Sequence, residues 1–285
     1  MADMREERKA QAKKHLGLMR GAFGGDTEKT IEACVIYEDG TMRAPELPEA
    51  PFEATETVVT TKFAPEVLAN ASGKTLIIDP TAFTRPGGAY EDGAFGPEQI
   101  LCAESNLYPV LQGIKSKYHD KNRMYTTGML FTDRAAYVPH IVFSSQGVMC
   151  HADILAIAEP QKNRALENHR SAAEADKALA DRIATLLNIA AANEIETLIV
   201  GAFGAGRNGY TTEEVIRLFS EWIAAHPGAI KTIYFAVPRG VYDVFNEAFG
   251  QPVEEVVEVV EDEEAETEEE DVDWRENLPE GVTIR

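Results

Sequence analysis

Short apolar runs alternate with longer amphipathic stretches along most of this chain. The clearest apolar runs are Thr75–Asp79 (TLIID) and residues 196–200 (ETLIV). Each is a brief block of Leu, Ile and Val bounded by glycine, proline or polar residues, the pattern of a strand buried on both faces. Further strands are expected at residues 31–37, 56–60, 128–131, 140–144, 153–158 and 233–237. Helical patterns fall around them, at residues 3–22, 63–71, 97–111, 172–193, 212–225 and 241–249. Pro97 suits a first helical position, because proline has no N–H to lose there. Residues 44–52 hold three prolines and read as a connection. Strands alternating with helices are best buried as a layered α/β domain with helices on both faces of the sheet.

Two glycine-rich connections follow the two clearest strands. Residues 80–96 form a long loop, and its end runs RPGGAYEDGAFGPEQ from Arg85 to Gln99. A structureless loop of this length is uncommon in a compact domain unless it is functional. In a parallel α/β arrangement it lies at the carboxyl end of its strand, where ligands bind. The second connection is Gly201-Ala202-Phe203-Gly204-Ala205-Gly206-Arg207-Asn208-Gly209-Tyr210, with Thr212 as the expected cap of the next helix. Free N–H groups at such a helix start face an anion. The glycine spacing departs from the dinucleotide fingerprint, and no acidic residue follows at the ribose position, which argues against that fold.

Charge narrows the partners. The net charge is −21, but most of the excess lies in residues 251–285, which carry fifteen acids and two arginines. Residues 254–273 contain thirteen acids and no base, the composition of a solvated tail. Trp274, Leu278 and Ile284 follow and could dock back on the domain. An acidic body offers no basic stripe for duplex nucleic acid, yet backbone N–H groups can still hold a small anion. No apolar run reaches the ~18 residues a membrane span needs, and the charged N-terminus lacks a signal-peptide core. A cytoplasmic protein is expected. Cys34, Cys102 and Cys150 suit neither a disulfide framework nor a zinc site. The six histidines show no ligand spacing, so neither metal nor cofactor is expected.

Residues 85–108, RPGGAYEDGAFGPEQILCAESNLY, resemble the signature of the microbial-type poly(ADP-ribose) glycohydrolases. That signature has a Pro-Gly-Gly-Gly run, then Gly-Ala, Gln-Glu-Glu, Leu-Cys and Ser-x-Leu-Tyr. Pro86, Gly87 and Gly88 match, and Ala89 replaces the third glycine. Gly93-Ala94, Leu101-Cys102 and residues 105–108 also match. The second loop is similar too: residues 198–206 read LIVGAFGAG, with Ala205 where the family carries cysteine. Residues 137–160, ending Ala158-Glu159-Pro160, resemble the segment between, so the similarity spans residues 8–250. It implies a macrodomain fold, an α/β/α three-layer sandwich with a mixed sheet. The division expected is an N-terminal helical and strand extension (1–72), an ADP-ribose-binding core (73–250) and the acidic tail (251–285). The ligand implied is ADP-ribose or an ADP-ribosylated protein. The expected ligand contacts are Asp79, Pro86, Gly87, Gly88 and Ala89 on one side. On the other are Gly201, Phe203, Gly204, Ala205, Gly206, Arg207, Asn208 and Tyr210, around the diphosphate.

The chain departs from the family at telling positions. The resemblance makes the first glutamate of the pair, here Glu98, an orienter of ribose hydroxyls and the second the acid/base. That second position is Gln99. Glycosidic cleavage needs a proton for the departing oxygen and a base for water, which a carboxyl supplies in turn and a carboxamide cannot. Glu98 points about 100° away from Gln99 around a helix. Glu91 and Asp92 are replacement acids or solvated loop-tip residues. Asp79 stands where the family often has Asn, and either holds a ligand hydroxyl or caps the loop. Arg207 either pairs with a phosphate or is a surface group. Phe95, Phe203 and Tyr210 either stack on adenine or ribose or pack in the core. Three readings follow: an ADP-ribose-binding module with weak or absent hydrolysis, an active hydrolase with a shifted acid, or a partner-binding protein working through its tail.

Overall fold

A computed structural model describes residues 2–145 and 148–250. The acidic tail expected at 251–285 lies outside the described residues. The chain opens with a long helix, α1 (Ala2–Ala33), kinked at Phe23. Two short strands, β1 (Val35–Tyr37) and β2 (Glu56–Thr60), precede α2 (Ala64–Leu68) and β3 (Thr75–Asp79). After the first glycine loop come α3 (Pro97–Ala103), α4 (Leu107–Gly113) and α5 (His119–Asn122). The hairpin β4 (Ala135–Ser145) and β5 (Val148–Ile157) leads to α6 (Lys162–Glu167) and α7 (Ala172–Ala192). The chain continues through β6 (Thr197–Val200), α8 (Thr212–Ala225), β7 (Thr232–Ala236) and α9 (Arg239–Phe249).

The strands form one mixed sheet in the order β1-β4-β5-β3-β6-β7-β2. Only β4 runs against its neighbours. Alternation along β3 separates two apolar layers. Leu76 and Ile78 pack with Leu179, Ile183 and Phe219 of α7 and α8, whereas Ile77 packs with Ala12, Leu101 and Leu111 of α1, α3 and α4. This is the three-layer α/β/α sandwich with a mixed sheet, and both layers hold fully buried Leu, Ile and aromatic side chains.

Four local expectations are corrected. Residues 31–33 continue α1 instead of starting a strand, and Ile31 packs against Gly113, where a side chain would clash. Residues 128–131 form a turn, because Gly128, Met129 and Phe131 have φ of 64°, 76° and 58°, outside the strand region. The single helix expected at 97–111 is two. Ser105 Oγ donates to the Leu101 carbonyl at 2.7 Å and accepts the Leu107 N–H at 3.1 Å, while Asn106 exchanges bonds with Val142 of β4. The cap of α8 is Thr211, not Thr212: its hydroxyl accepts the Glu214 N–H at 3.1 Å, and Glu214 accepts the Thr211 N–H at 2.7 Å. That reciprocal pair is a capping box.

Candidate ADP-ribose site

Strands β5, β3 and β6 lie side by side and parallel, with Asp79 opposite Ala156 and Ile77 opposite Ile199. Their carboxyl ends therefore open at one edge of the sheet. The first glycine loop leaves β3 there, the second leaves β6, and the Ala158-Glu159-Pro160 turn leaves β5. Ligand sites in open α/β sheets form at this edge.

The first loop folds down onto the start of α3. Gly87 and Gly88 have φ of +64° and +57°, which β-carbons disfavour. A Cβ on Gly88 would lie 2.8 Å from Gln99 Nε2 and 3.1 Å from Glu98 Oε2, so glycine lets the backbone close over both side chains. Pro86 and Ala89 flank this turn, and Ala89 accepts the Asp92 and Ala94 N–H groups at 3.0 and 3.1 Å. The tip is held from outside by α1: Arg5 Nε donates to the Asp92 carbonyl at 2.8 Å and Arg8 Nε to the Gly93 carbonyl at 2.9 Å.

Glu98 is buried. Its Oε1 accepts the Thr81 hydroxyl at 2.6 Å and its Oε2 the Ala82 N–H at 3.1 Å. Burial nevertheless pushes its carboxyl up to about 7. Gln99 Nε2 donates to the Gly87 carbonyl at 3.2 Å and approaches Glu98 Oε2 at 3.4 Å. Asp79 is fully buried at the end of β3, and neither of its oxygens has a hydrogen-bond partner. Burial and the Glu98 charge raise it well above the usual carboxylate range. Asp79 and Gln99 thus both interact with Glu98. Glu91 and Asp92 are exposed, and Asp92 is paired with Arg85 at 2.6 Å, which holds it below the usual range.

A cavity of about 370 Å³ opens between α1, the loop and α3, with Arg8, His15, Tyr90, Phe95, Gln99 and Glu104 among its walls. The Phe95 ring is 65% exposed beneath the Arg8 guanidinium, 5.6 Å from the ring centre.

The second loop is organised by a carboxylate. Glu159 Oε1 accepts the Gly204 N–H at 2.8 Å, and Oε2 accepts the Asn208 side-chain amide at 2.5 Å. The Ala205 and Gly206 N–H groups turn inward to the Ala202 and Tyr210 carbonyls, both at 3.0 Å. Among the described residues, the backbone amides of Ala202, Arg207 and Asn208 donate to no protein group. Arg207 is exposed beside them, and Gly201 starts the loop against the Ala236 carbonyl.

Of the two roles left open for Phe203 and Tyr210, their burial matches core packing. Both are 2% exposed in the layer under α7, and the Tyr210 hydroxyl donates to the Ala175 carbonyl at 2.8 Å. Their rings anchor the loop from below, leaving the loop backbone and the Arg207 side chain on the outer side.

Several groups escaped the motif reading. Glu159 stood only as the middle of Ala-x-Pro, although a carboxylate directly after a buried strand is a usable signal. Arg182, fully buried on α7, donates to the Ala158 carbonyl and, at 3.2 Å, to that of Leu130, fixing the turn that carries Glu159. Arg5, Arg8 and Thr81 gave no signal at all.

Comparison with known proteins agrees with this geometry. Residues 19–145 match the family model of the microbial-type poly(ADP-ribose) glycohydrolase (PARG) catalytic domain. No curated protein matches the chain. Among solved structures, the poly(ADP-ribose) glycohydrolase of Thermomonospora curvata is 20% identical with a TM-score of 0.71, over 81% of this chain and 93% of that one. The same protein bound to the inhibitor ADP-HPD gives a TM-score of 0.69 at 20% identity, over 82% and 94%. The Deinococcus radiodurans enzyme in complex with ADP-ribose gives 0.67 at 19% identity, over 79% and 98%. The matched segment contains Asp79, Glu98 and Gln99, while the second glycine loop lies beyond it. The chain is thus similar to the microbial-type poly(ADP-ribose) glycohydrolases, sharing the fold of the bacterial enzymes over about four fifths of its length and the family's catalytic-domain pattern over residues 19–145.

Proposed function

We propose that this protein binds ADP-ribose, free or attached to protein, in the cleft between the two glycine loops, and that its glycohydrolase activity is weak. The binding half is supported by the two loops at one sheet edge and by the relatives crystallised with ADP-ribose or an inhibitor. The Ala202, Arg207 and Asn208 amides and the Arg207 guanidinium receive the diphosphate, and Glu98 receives ribose hydroxyls. Weak hydrolysis rests on our assignment of residue 99 to the acid/base position. Gln99 stands there in that reading, with its amide nitrogen turned to the Gly87 carbonyl and to Glu98. A carboxamide moves no proton at physiological pH, and losing general acid/base help costs roughly 10²–10⁴-fold in rate. The compartment we assign is the cytoplasm; among the described residues no helix is long and apolar enough to cross a membrane.

Calorimetry with ADP-ribose tests the binding, and absence of heat at millimolar ligand removes it. Following free ADP-ribose released from poly(ADP-ribose) tests the rate. A second reading, hydrolysis with Glu98 as the acid, is favoured by its buried carboxyl near 7. Brisk turnover abolished by Glu98→Ala would select it. Asp92 suits that role poorly, being exposed and ion-paired.

A further inference from the structure

Asp79 has no place in the binding scheme above, yet it is the most conspicuous polar group in the molecule's interior. Residues 77 and 79 of β3 point to the same face, toward the layer that holds α3, where Ile77 packs with Leu101 and Cys102. The carboxyl group is fully buried and neither oxygen meets a donor. Among the described residues its one charged neighbour is Glu98, and the titratable groups beside it, Cys102 and Tyr118, are both driven toward their neutral forms by burial. No cation faces it.

The two carboxyls are unequal. Glu98 receives the Thr81 hydroxyl, the Ala82 N–H and the edge of the Gln99 amide, whereas Asp79 receives nothing. Glu98 is bonded to Thr81 and Ala82, two and three residues past Asp79, and two buried carboxyls this near in the fold do not both ionise readily: the charge settles where the donors are. We propose that Asp79 is a positioning residue: it holds the proton of an Asp79–Glu98 carboxyl pair and so keeps Glu98 as the single anionic acceptor offered to a ribose hydroxyl. This inference rests on the cleft reading, and it separates this chain from a site built with an amide at that position. An amide is neutral at every pH, but Asp79 becomes a second buried charge once it ionises. Binding then weakens on the alkaline side as the pair acquires two charges.

The test is Asp79→Asn, which removes the ionisable group and keeps the shape. ADP-ribose affinity of the full chain is measured by calorimetry at pH 7.5 and pH 9.5, both above the Glu98 value of about 7. The expected result is a fall of at least tenfold between these values in the unmodified protein, shrinking to less than threefold in the variant. An equal fall in both overturns the proposal. A readout without ligand separates this failure from failure of the binding reading. Asp79 titrates higher in the folded chain than in the unfolded chain, so its stabilisation is complete below the unfolded value and lost as pH rises through the folded one. The denaturation midpoint of the unmodified protein should therefore drop relative to the variant from pH 4 to pH 9. Parallel midpoints across that range overturn the proposal even if ADP-ribose never binds. Diverging midpoints without any binding support the carboxyl pair and reject the cleft reading. If the Asn variant does not fold, Glu98→Gln supplies the ligand-free midpoint comparison, since it removes the other charge of the pair.

Discussion

Gln99 donates its side-chain amide to the backbone carbonyl of Gly87 at 3.2 Å, tying the first turn of α3 to the glycine turn above it. The bond fixes which end of the carboxamide faces the loop. It also places at the centre of the site a group that hydrogen-bonds well and cannot exchange a proton.

Gln99→Glu restores a carboxyl at this point. Release of ADP-ribose from poly(ADP-ribose) should rise by about 10²-fold or more, in line with typical acid/base contributions. An unchanged rate in a folded variant would falsify the assignment of residue 99 to the acid position.

Gly88→Ala puts a Cβ 2.8 Å from Gln99 Nε2 at a φ of +57°. The left-handed conformation alone costs about 1–2 kcal/mol for a residue with a side chain. We expect a lower denaturant midpoint together with at least tenfold weaker ADP-ribose binding. Retained affinity would mean that the turn does not border the ligand.

Glu159→Gln leaves one acceptor where the loop presents two donors, the Gly204 N–H and the Asn208 amide. Orphaning a buried donor costs about 1–3 kcal/mol. Faster hydrogen exchange at Gly204 and roughly tenfold weaker ADP-ribose binding are expected from the resulting loss of loop shape. If Kd holds steady, the second loop keeps its form without this carboxylate.

His119 on α5 is buried with neither ring nitrogen hydrogen-bonded, and burial pulls its imidazole down to about 4. The folded value lies below the unfolded 6.5, so its contribution to stability is present above pH 6.5 and lost as pH falls through about 4. A shift of this size corresponds to about 3 kcal/mol. His119→Phe should flatten the acid limb of stability measured by urea midpoints between pH 7 and pH 4. A limb as steep as before would place the acid sensitivity elsewhere.

Much of the architecture was legible before any coordinates. TLIID and TLIV read as doubly buried strands because unbroken Leu and Ile between punctuating residues suit that environment and few others. The glycine runs after them read as ligand loops because their length and composition make little sense as plain connections. What failed was local pattern against tertiary demand. The apolar run at residues 128–131 became a turn, and the helix expected at 97–111 broke where Asn106 pairs with β4.

By itself the sequence determined the strand cores, the two glycine turns and the Glu98-Gln99 pair at the start of a helix, since each depends on side chains within a few residues of one another. Only the tertiary structure decided that Glu159 takes the Gly204 amide, that Arg5 and Arg8 clamp the loop tip, that Tyr210 is buried, and that Asp79 lies unpartnered beside Glu98. Those relations join residues 19 to 87 positions apart. They arise from which strand ends meet at one sheet edge, and no local periodicity carries that information.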